Sequence, residues 1–285
     1  MLLFKKIEPL QDFLQLNRSN GMQIGYVPTM GALHEGHASL VRSAKAENEI
    51  CVCSIFVNPT QFNDAKDLEK YPRTEGRDIE YLTELGTDVL FYPGVKEIYP
   101  KHLTTPVFDF GKTALVMEGE HRPGHFDGVV QVVHRLLDIV RPDKLYMGQK
   151  DFQQFTLIRH MLDQMGSATQ LVVCPIIREK DGLALSSRNV RLSAQNRKNA
   201  PHIARVLHQL NDWISNGLSL REAEQKAIAV LKEIPEFRPE YLEIVNAYTL
   251  EKIDKLEGAD YVVACIAVWA GAIRLIDNVI LKKSV

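Results

Sequence analysis

Long apolar runs are missing from this chain of 285 residues. A membrane-crossing helix needs about 20 consecutive apolar residues, and no stretch approaches that, so no membrane partner is expected. Excess charge of one sign is missing as well. The 34 Lys and Arg nearly balance the 36 Asp and Glu, for a formal net charge of −2. That balance argues against a general binder of nucleic acid or of acidic membrane surfaces. Cysteine is sparse, and Cys51, Cys53, Cys174 and Cys265 each lie inside an apolar, strand-like run. They read as buried thiols, not as a disulfide or zinc framework, and point to the cytosol. The opening Met-Leu-Leu-Phe-Lys-Lys-Ile-Glu-Pro puts its charges after a very short apolar patch, which is not the order of a signal peptide. Three catalytic signatures are absent too: a Gly-x-Ser-x-Gly elbow, a P-loop and a dinucleotide fingerprint.

What is present is organised around residues 25–40, Gly-Tyr-Val-Pro-Thr-Met-Gly-Ala-Leu-His-Glu-Gly-His-Ala-Ser-Leu. An apolar run over 24–27 predicts a strand, read over 22–27, that Pro28 ends. Gly31 and Gly36 permit tight turns. From Gly36 to Glu47 the spacing of Leu40, Val41 and Ala44 predicts a helix. A helix N-terminus after a strand offers unpaired N–H groups and partial positive charge to a phosphate. His34 and His37 stand there, each able to donate to phosphate oxygens. A zinc pair is less apt, because helical metal pairs are usually i, i+4 and no further ligand is near.

The rest alternates. Helices are expected over 9–17, 73–86, 129–140 (after Asp127 as N-cap) and 152–165. Strands are expected over 50–57, 88–92, 143–147 and 170–174. That pattern predicts an α/β fold with a doubly wound parallel sheet, whose ligands bind at the carboxyl ends of the strands. Loops 29–37 and 58–63 therefore open on one edge. Residues 99–120 are less regular, and 178–191 read as a mobile polar loop near a domain boundary. Beyond it, helices over 193–215 and 219–232 and strands over 239–248, 261–269 and 274–281 predict a smaller α+β module with an antiparallel sheet. The expected domains are 1–176 and 177–285.

Four polar clusters fall at strand ends or at the domain junction: His34/His37, Asn58/Gln61, Lys150/Asp151/Gln154 and Ser186/Ser187/Arg188. Lys150 supplies a point charge and Arg188 a bidentate fork for phosphate oxygens. Gln61 and Gln154 both donate and accept, which suits a ligand with hydroxyls and a carboxylate. Any one of these is ordinarily a solvated loop residue. Together they suit adenylyl transfer, in which a carboxylate attacks the α-phosphate of a triphosphate that brings magnesium with it.

Five blocks resemble the pantothenate synthetase (pantoate–β-alanine ligase) family in its order and spacing. They are Pro-Thr-Met-Gly-Ala-Leu-His-Glu-Gly-His at 28–37, Val-Asn-Pro-Thr-Gln-Phe at 57–62, Arg-Pro-Gly-His-Phe-Asp-Gly-Val at 122–129, Gly-Gln-Lys-Asp-Phe-Gln-Gln at 148–154, and Asp-Gly-Leu-Ala-Leu-Ser-Ser-Arg-Asn at 181–189. The resemblance implies a Rossmann-like domain of the nucleotidylyl-transferase superfamily, a C-terminal lid, and a cytoplasmic homodimer in pantothenate and coenzyme A biosynthesis. It implies that ATP and (R)-pantoate give pantoyl adenylate and pyrophosphate, and that β-alanine then gives pantothenate and AMP.

The resemblance also implies site residues. ATP would meet Met30, Gly31, Ala32, Leu33, His34, Glu35, Gly36 and His37, with His37 as proton donor and His34 on the phosphates. Gly148, Gln149, Lys150 and Asp151 would hold the nucleotide, with Lys150 on the phosphates. Ile177 would line the adenine pocket, and Leu185, Ser186, Ser187 and Arg188 would close over the triphosphate. Gln61 would touch pantoate and β-alanine, Gln154 the pantoate, and Val132 and Val133 its methyl groups. Asn58, Arg122 and His125 are further candidates, Asn58 for pantoate, and Asp78 is the candidate carboxylate for Mg2+. Gln149 departs from the family's usual Glu, and an amide cannot supply that charge. Two other readings stand beside this one: a nucleotidyltransferase acting on a phosphorylated alcohol, and a non-catalytic nucleotide-sensing or RNA-binding module. Gln61, Gln154 and the Ser-Ser-Arg loop weigh against the first, and the faintly acidic chain against the second.

Overall fold

The computed structural model describes residues 1–62 and 65–284. Asn63, the last residue of the predicted 58–63 loop, lies outside the described residues. The chain divides into two compact units. One comprises Met1–Gly148 and Leu157–Pro175, the other Gln149–Thr156 and Ile176–Val285. The sequence places the junction at 176/177 and does not foresee that Gln149–Thr156 groups with the second unit.

The first unit holds a six-stranded sheet. Its strands are β1 (Leu2–Phe4), β2 (Ile24–Thr29), β3 (Ile50–Ile55), β4 (Val89–Phe91), β5 (Lys144–Gly148) and β6 (Gln170–Cys174). They run in the order β1-β4-β3-β2-β5-β6, and every neighbouring pair is parallel. β3, with all six residues buried, is a continuous apolar run because helices cover both faces of such a sheet. Leu33, Leu40, Val41, Ala44 and Leu82 pack with Val27, Cys51, Cys53 and Leu90 in one core cluster. All four cysteines are free and buried, and burial pushes the Cys51 thiol up to about 12.

Connections run outward from β2 on one side through β3 and on the other through β5. The reversal of order between β2 and β5 is the crevice where doubly wound sheets bind ligands. The carboxyl ends of those strands, at Thr29 and Gly148, flank it.

Several expectations change at the level of single residues. Pro28 does not end its strand, and β2 continues to Thr29. Of the β2 residues only Gly25 and Tyr26 pair with β5, so Pro28 lies past that ladder and its missing N–H costs no bond there. Gly36 makes no turn but is the second residue of the helix Glu35–Glu47. The helix His125–Val140 is capped by Gly124 at φ +79°, and Asp127 sits inside its first turn. β1 is missed altogether, since three half-exposed residues carry no periodicity.

The second unit contains β7 (Phe237–Asn246), β8 (Tyr261–Ala270) and β9 (Ile273–Lys283), antiparallel in that order. The helices Pro201–Ser215 and Leu220–Lys232 supply Ile203, Leu207, Leu210, Ala223 and Leu231 to the core they share with Ile244, Ile266 and Val268. The single helix expected over 193–215 is two, Ala194–Asn199 and Pro201–Ser215. Proline fits the first turn of the second because no N–H is needed there. The expected loop 178–191 begins as a tight hairpin, in which Arg178 bridges Ala184 and Gly182 turns at φ +95°, and ends in the 3-10 turn Asn189–Arg191.

Candidate active site

In the first unit, the loop after β2 turns through two left-handed residues, Gly31 (φ +79°) and Ala32 (φ +49°). Buried Asp78 holds this turn. Its Oδ2 accepts from Ala32 N–H and its Oδ1 from Leu33 N–H, each at 2.9 Å. Thr74 Oγ1 lies 3.1 Å from both oxygens. Asp78, the candidate carboxylate for Mg2+, is here the acceptor for two loop N–H groups. Among the described residues no group of three or more His, Cys, Asp or Glu could hold a metal ion. Asp78→Asn replaces one acceptor with a donor facing a buried N–H, a cost of about 1–3 kcal/mol. A lower melting temperature and a higher KM for ATP are expected, with the Mg2+ dependence unchanged; a shifted Mg2+ requirement would return Asp78 to the metal.

His34 caps the helix Glu35–Glu47. Its Nδ1 accepts from Gly36 N–H at 3.2 Å, and its backbone N–H donates to His37 Nδ1 at 3.3 Å. The rings lie 4.1 Å apart. With both Nδ1 atoms accepting, each neutral ring carries its proton on Nε2. The sequence foresees the two histidines as donors. It does not foresee that both rings accept main-chain N–H groups of the helix N-terminus, Gly36 N–H at His34 and His34 N–H at His37, as a capping box. Glu35 turns to Arg42 and to Tyr81, whose hydroxyl donates to it at 2.9 Å, and the hydrogen bond from Arg42 holds its carboxyl below the usual range.

The loop after β3 meets the loop after β2, as parallel strands require: Gln61 Nε2 lies 3.2 Å from Met30 Sδ. Buried His125 donates from Nδ1 to Gln61 O at 2.8 Å. Asn58, expected to touch pantoate, is an internal brace. Its Nδ2 donates to Gly128 O (3.0 Å) and Gln61 Oε1 (3.2 Å), while its Oδ1 accepts from the hydroxyls of Tyr99 (2.8 Å) and Thr60 (3.1 Å). Its polar atoms are spent inside the protein, and it acts on Gln61. Burial raises the Tyr99 hydroxyl's pKa. Val132 and Val133 are both buried in the helix His125–Val140. Arg122 lies 3.5 Å from Glu118.

In the second unit, Lys150 and Ser186 line one small pocket together with Asn189 and Asp277. Two of the four predicted clusters thus come together. Lys150 Nζ is 3.9 Å from Asp151 Oδ1. Leu185 N–H donates to Ile177 O at 3.0 Å, tying the two residues expected at the nucleotide to one another. Ser186 Oγ accepts from Arg188 N–H at 3.2 Å. Gln154 is a partly exposed residue of the helix Phe152–Gln164.

Comparison with known proteins agrees with this architecture. The family model for pantoate-beta-alanine ligase matches residues 2–280. Pantothenate synthetase of Porphyromonas gingivalis is 50% identical over 98% of this chain and 99% of its own. That of Bacteroides thetaiotaomicron is 47% identical over 99% and 100%. The crystal structure of pantothenate synthetase from Thermus thermophilus superposes with a TM-score of 0.91 at 41% identity, covering 99% of this chain and all of that one. A Francisella tularensis pantoate-beta-alanine ligase, in complex with beta-gamma ATP and β-alanine, superposes at 0.80 with 36% identity, covering 99% and 98%. A match of this extent, on a parallel sheet with a two-histidine cap at its carboxyl edge, assigns the chain to the pantoate–β-alanine ligase family.

Proposed function

We propose that the chain condenses (R)-pantoate with β-alanine through a pantoyl adenylate. Pantoate's carboxylate attacks the α-phosphorus of ATP and pyrophosphate leaves. The β-alanine amine then attacks the acyl carbon, and AMP departs with the carboxyl oxygen. The observation that carries this reading is the paired cap of His34 and His37. It sets two imidazoles at a helix N-terminus, an arrangement suited to charge building on phosphate oxygens.

In this reading His37 donates the proton and His34 grips a phosphate. Met30, Gly31, Ala32, Leu33, Glu35 and Gly36 shape the nucleotide cradle. Lys150, Arg188, Ser186 and Ser187 act on the phosphates, with Gly148, Gln149 and Asp151 as backbone supports. Ile177 lines the adenine pocket, and Leu185 closes over the triphosphate with the Ser-Ser-Arg segment. Gln61 reads pantoate and then β-alanine, Gln154 the pantoate, and Val132 and Val133 its methyl groups. Magnesium enters as part of the MgATP substrate. An acyl adenylate is hydrolysable, which gives residues 177–285 a purpose as a lid against water. A cytoplasmic homodimer is part of the same proposal.

The test is exchange of labelled pyrophosphate into ATP. Exchange that needs pantoate but not β-alanine, with AMP accumulating only once β-alanine is added, is the expected result. Exchange that requires β-alanine, or none at all beside full ligase turnover, would overturn the two-step reading.

A further inference from the structure

We propose that Asn278 and Gln149 are positioning residues for Lys150. Asn278 is 1% exposed, on β9, far along the chain from the loop that follows β5. Its Nδ2 donates to two successive carbonyls of that loop, Gln149 O and Lys150 O, each at 3.0 Å. Carbonyl oxygens only accept, so the amide has one workable orientation. Oδ1 must then face the Gln149 side chain and needs a donor there. Gln149 Nε2 supplies it at 3.0 Å. A carboxylate at position 149 has no proton to give and would set two acceptors against each other. The amide at 149 and the amide at 278 are therefore a matched pair, and together they fix the backbone from which Lys150 extends.

The preceding residue of the same strand does the corresponding work for the second cluster. Asp277 is buried and takes a bidentate pair from Arg178, with Nη1 at 2.6 Å and Nη2 at 2.9 Å. Arg178 opens the hairpin that leads to Ser186, and its Nη1 also donates to Gly182 O across the turn at 3.1 Å. Two consecutive β9 residues thus hold the two segments whose Lys150 and Ser186 line a common pocket. A reacting group moved by about 1 Å loses about 10²-fold in rate, so a clamp on the backbone beneath Lys150 sets its effectiveness.

The inference rests on the reading of Lys150 as a phosphate contact, and a double-mutant cycle separates the two. Pantoate-dependent pyrophosphate exchange is measured for Asn278→Ala, Lys150→Ala and the pair, on protein shown folded by its melting transition. Asn278→Ala is expected to slow exchange by about 10–100-fold on its own and by less than about 2-fold in the Lys150→Ala background, since a residue acting through Lys150 has nothing left to position. Gln149→Glu, close in volume, runs through the same cycle and decides the matter if Asn278→Ala does not fold. An undiminished penalty in the Lys150→Ala background makes the role merely structural and overturns the inference, as does a wild-type rate for both Asn278→Ala and Gln149→Glu. Wild-type exchange by Lys150→Ala instead overturns the reading beneath it.

Discussion

Replacing Lys150 with Ala should cut pantoate-dependent pyrophosphate exchange by about 10²–10³-fold or more, the loss typical when one preorganised charge is removed from a developing anion. Its melting temperature should hardly move. The ion pair of the side chain with Asp151, at 3.9 Å, is partly exposed and contributes little to stability. The backbone at this position is held by Asn278 through the Lys150 carbonyl, a contact that an alanine keeps. Lys150→Arg should recover only part of the rate, because a planar fork does not place its charge where an ammonium does. A Lys150→Ala enzyme with near-normal exchange would remove this side chain from the chemistry.

Gly128→Ala should both destabilise the protein and weaken pantoate binding. In the interior of a helix the change alone would favour stability by about 1 kcal/mol. Here a Cβ would stand 2.4 Å from Thr60 O, 2.5 Å from Thr60 C and 2.7 Å from Gln61 N. All three are backbone atoms, so no side chain can swing away. Overpacking of this kind costs about 1–3 kcal/mol, which outweighs the helical gain. The turn Pro59–Gln61 must move, and with it the Asn58–Gly128 bond and the Gln61 side chain. A Tm lower by a few degrees and a KM for pantoate raised by about 10-fold, for a loss of roughly 1.4 kcal/mol of binding, are expected together. A more stable variant with an unchanged KM would contradict the close approach of helix and turn.

Much of the scaffold is legible from local pattern. The β-branched run of β3 declares a strand covered on both faces. The alternation of strands and helices gives the parallel sheet, and the change of pattern beyond residue 191 gives the helices and antiparallel strands of the second unit. Its antiparallel strands are read nearly at their true bounds, because β7, β8 and β9 are ten or eleven residues long. β1 is not legible at three residues. Pro28 misleads because its tolerance depends on where a neighbouring strand stops pairing.

The candidate site divides in the same way. His34, Gln61 and Lys150 stand out as polar residues in loops after apolar strands, His37 in the helix turn that follows one such loop, and Ser186 in the polar segment near the junction. The residues that hold them do not. Asn58 looks like a ligand-facing amide until its partners Tyr99 and Gly128 are seen, 41 and 70 positions away. Asp78 has the composition of a metal ligand and the surroundings of a backbone acceptor. Asn278 lies in an alternating strand 129 positions from Gln149, with nothing local to mark it. Contacts between distant segments leave no trace in propensity or spacing, and the amide of Gln149 makes sense only beside its partner.

The most direct measurement follows oxygen. Pantoate carrying oxygen-18 in both carboxylate positions should give AMP with one labelled oxygen and pantothenate with the other, because the carboxylate that attacks the α-phosphorus leaves one oxygen on it. Label in pyrophosphate or orthophosphate, or AMP without label, would place the attack elsewhere and contradict an acyl adenylate.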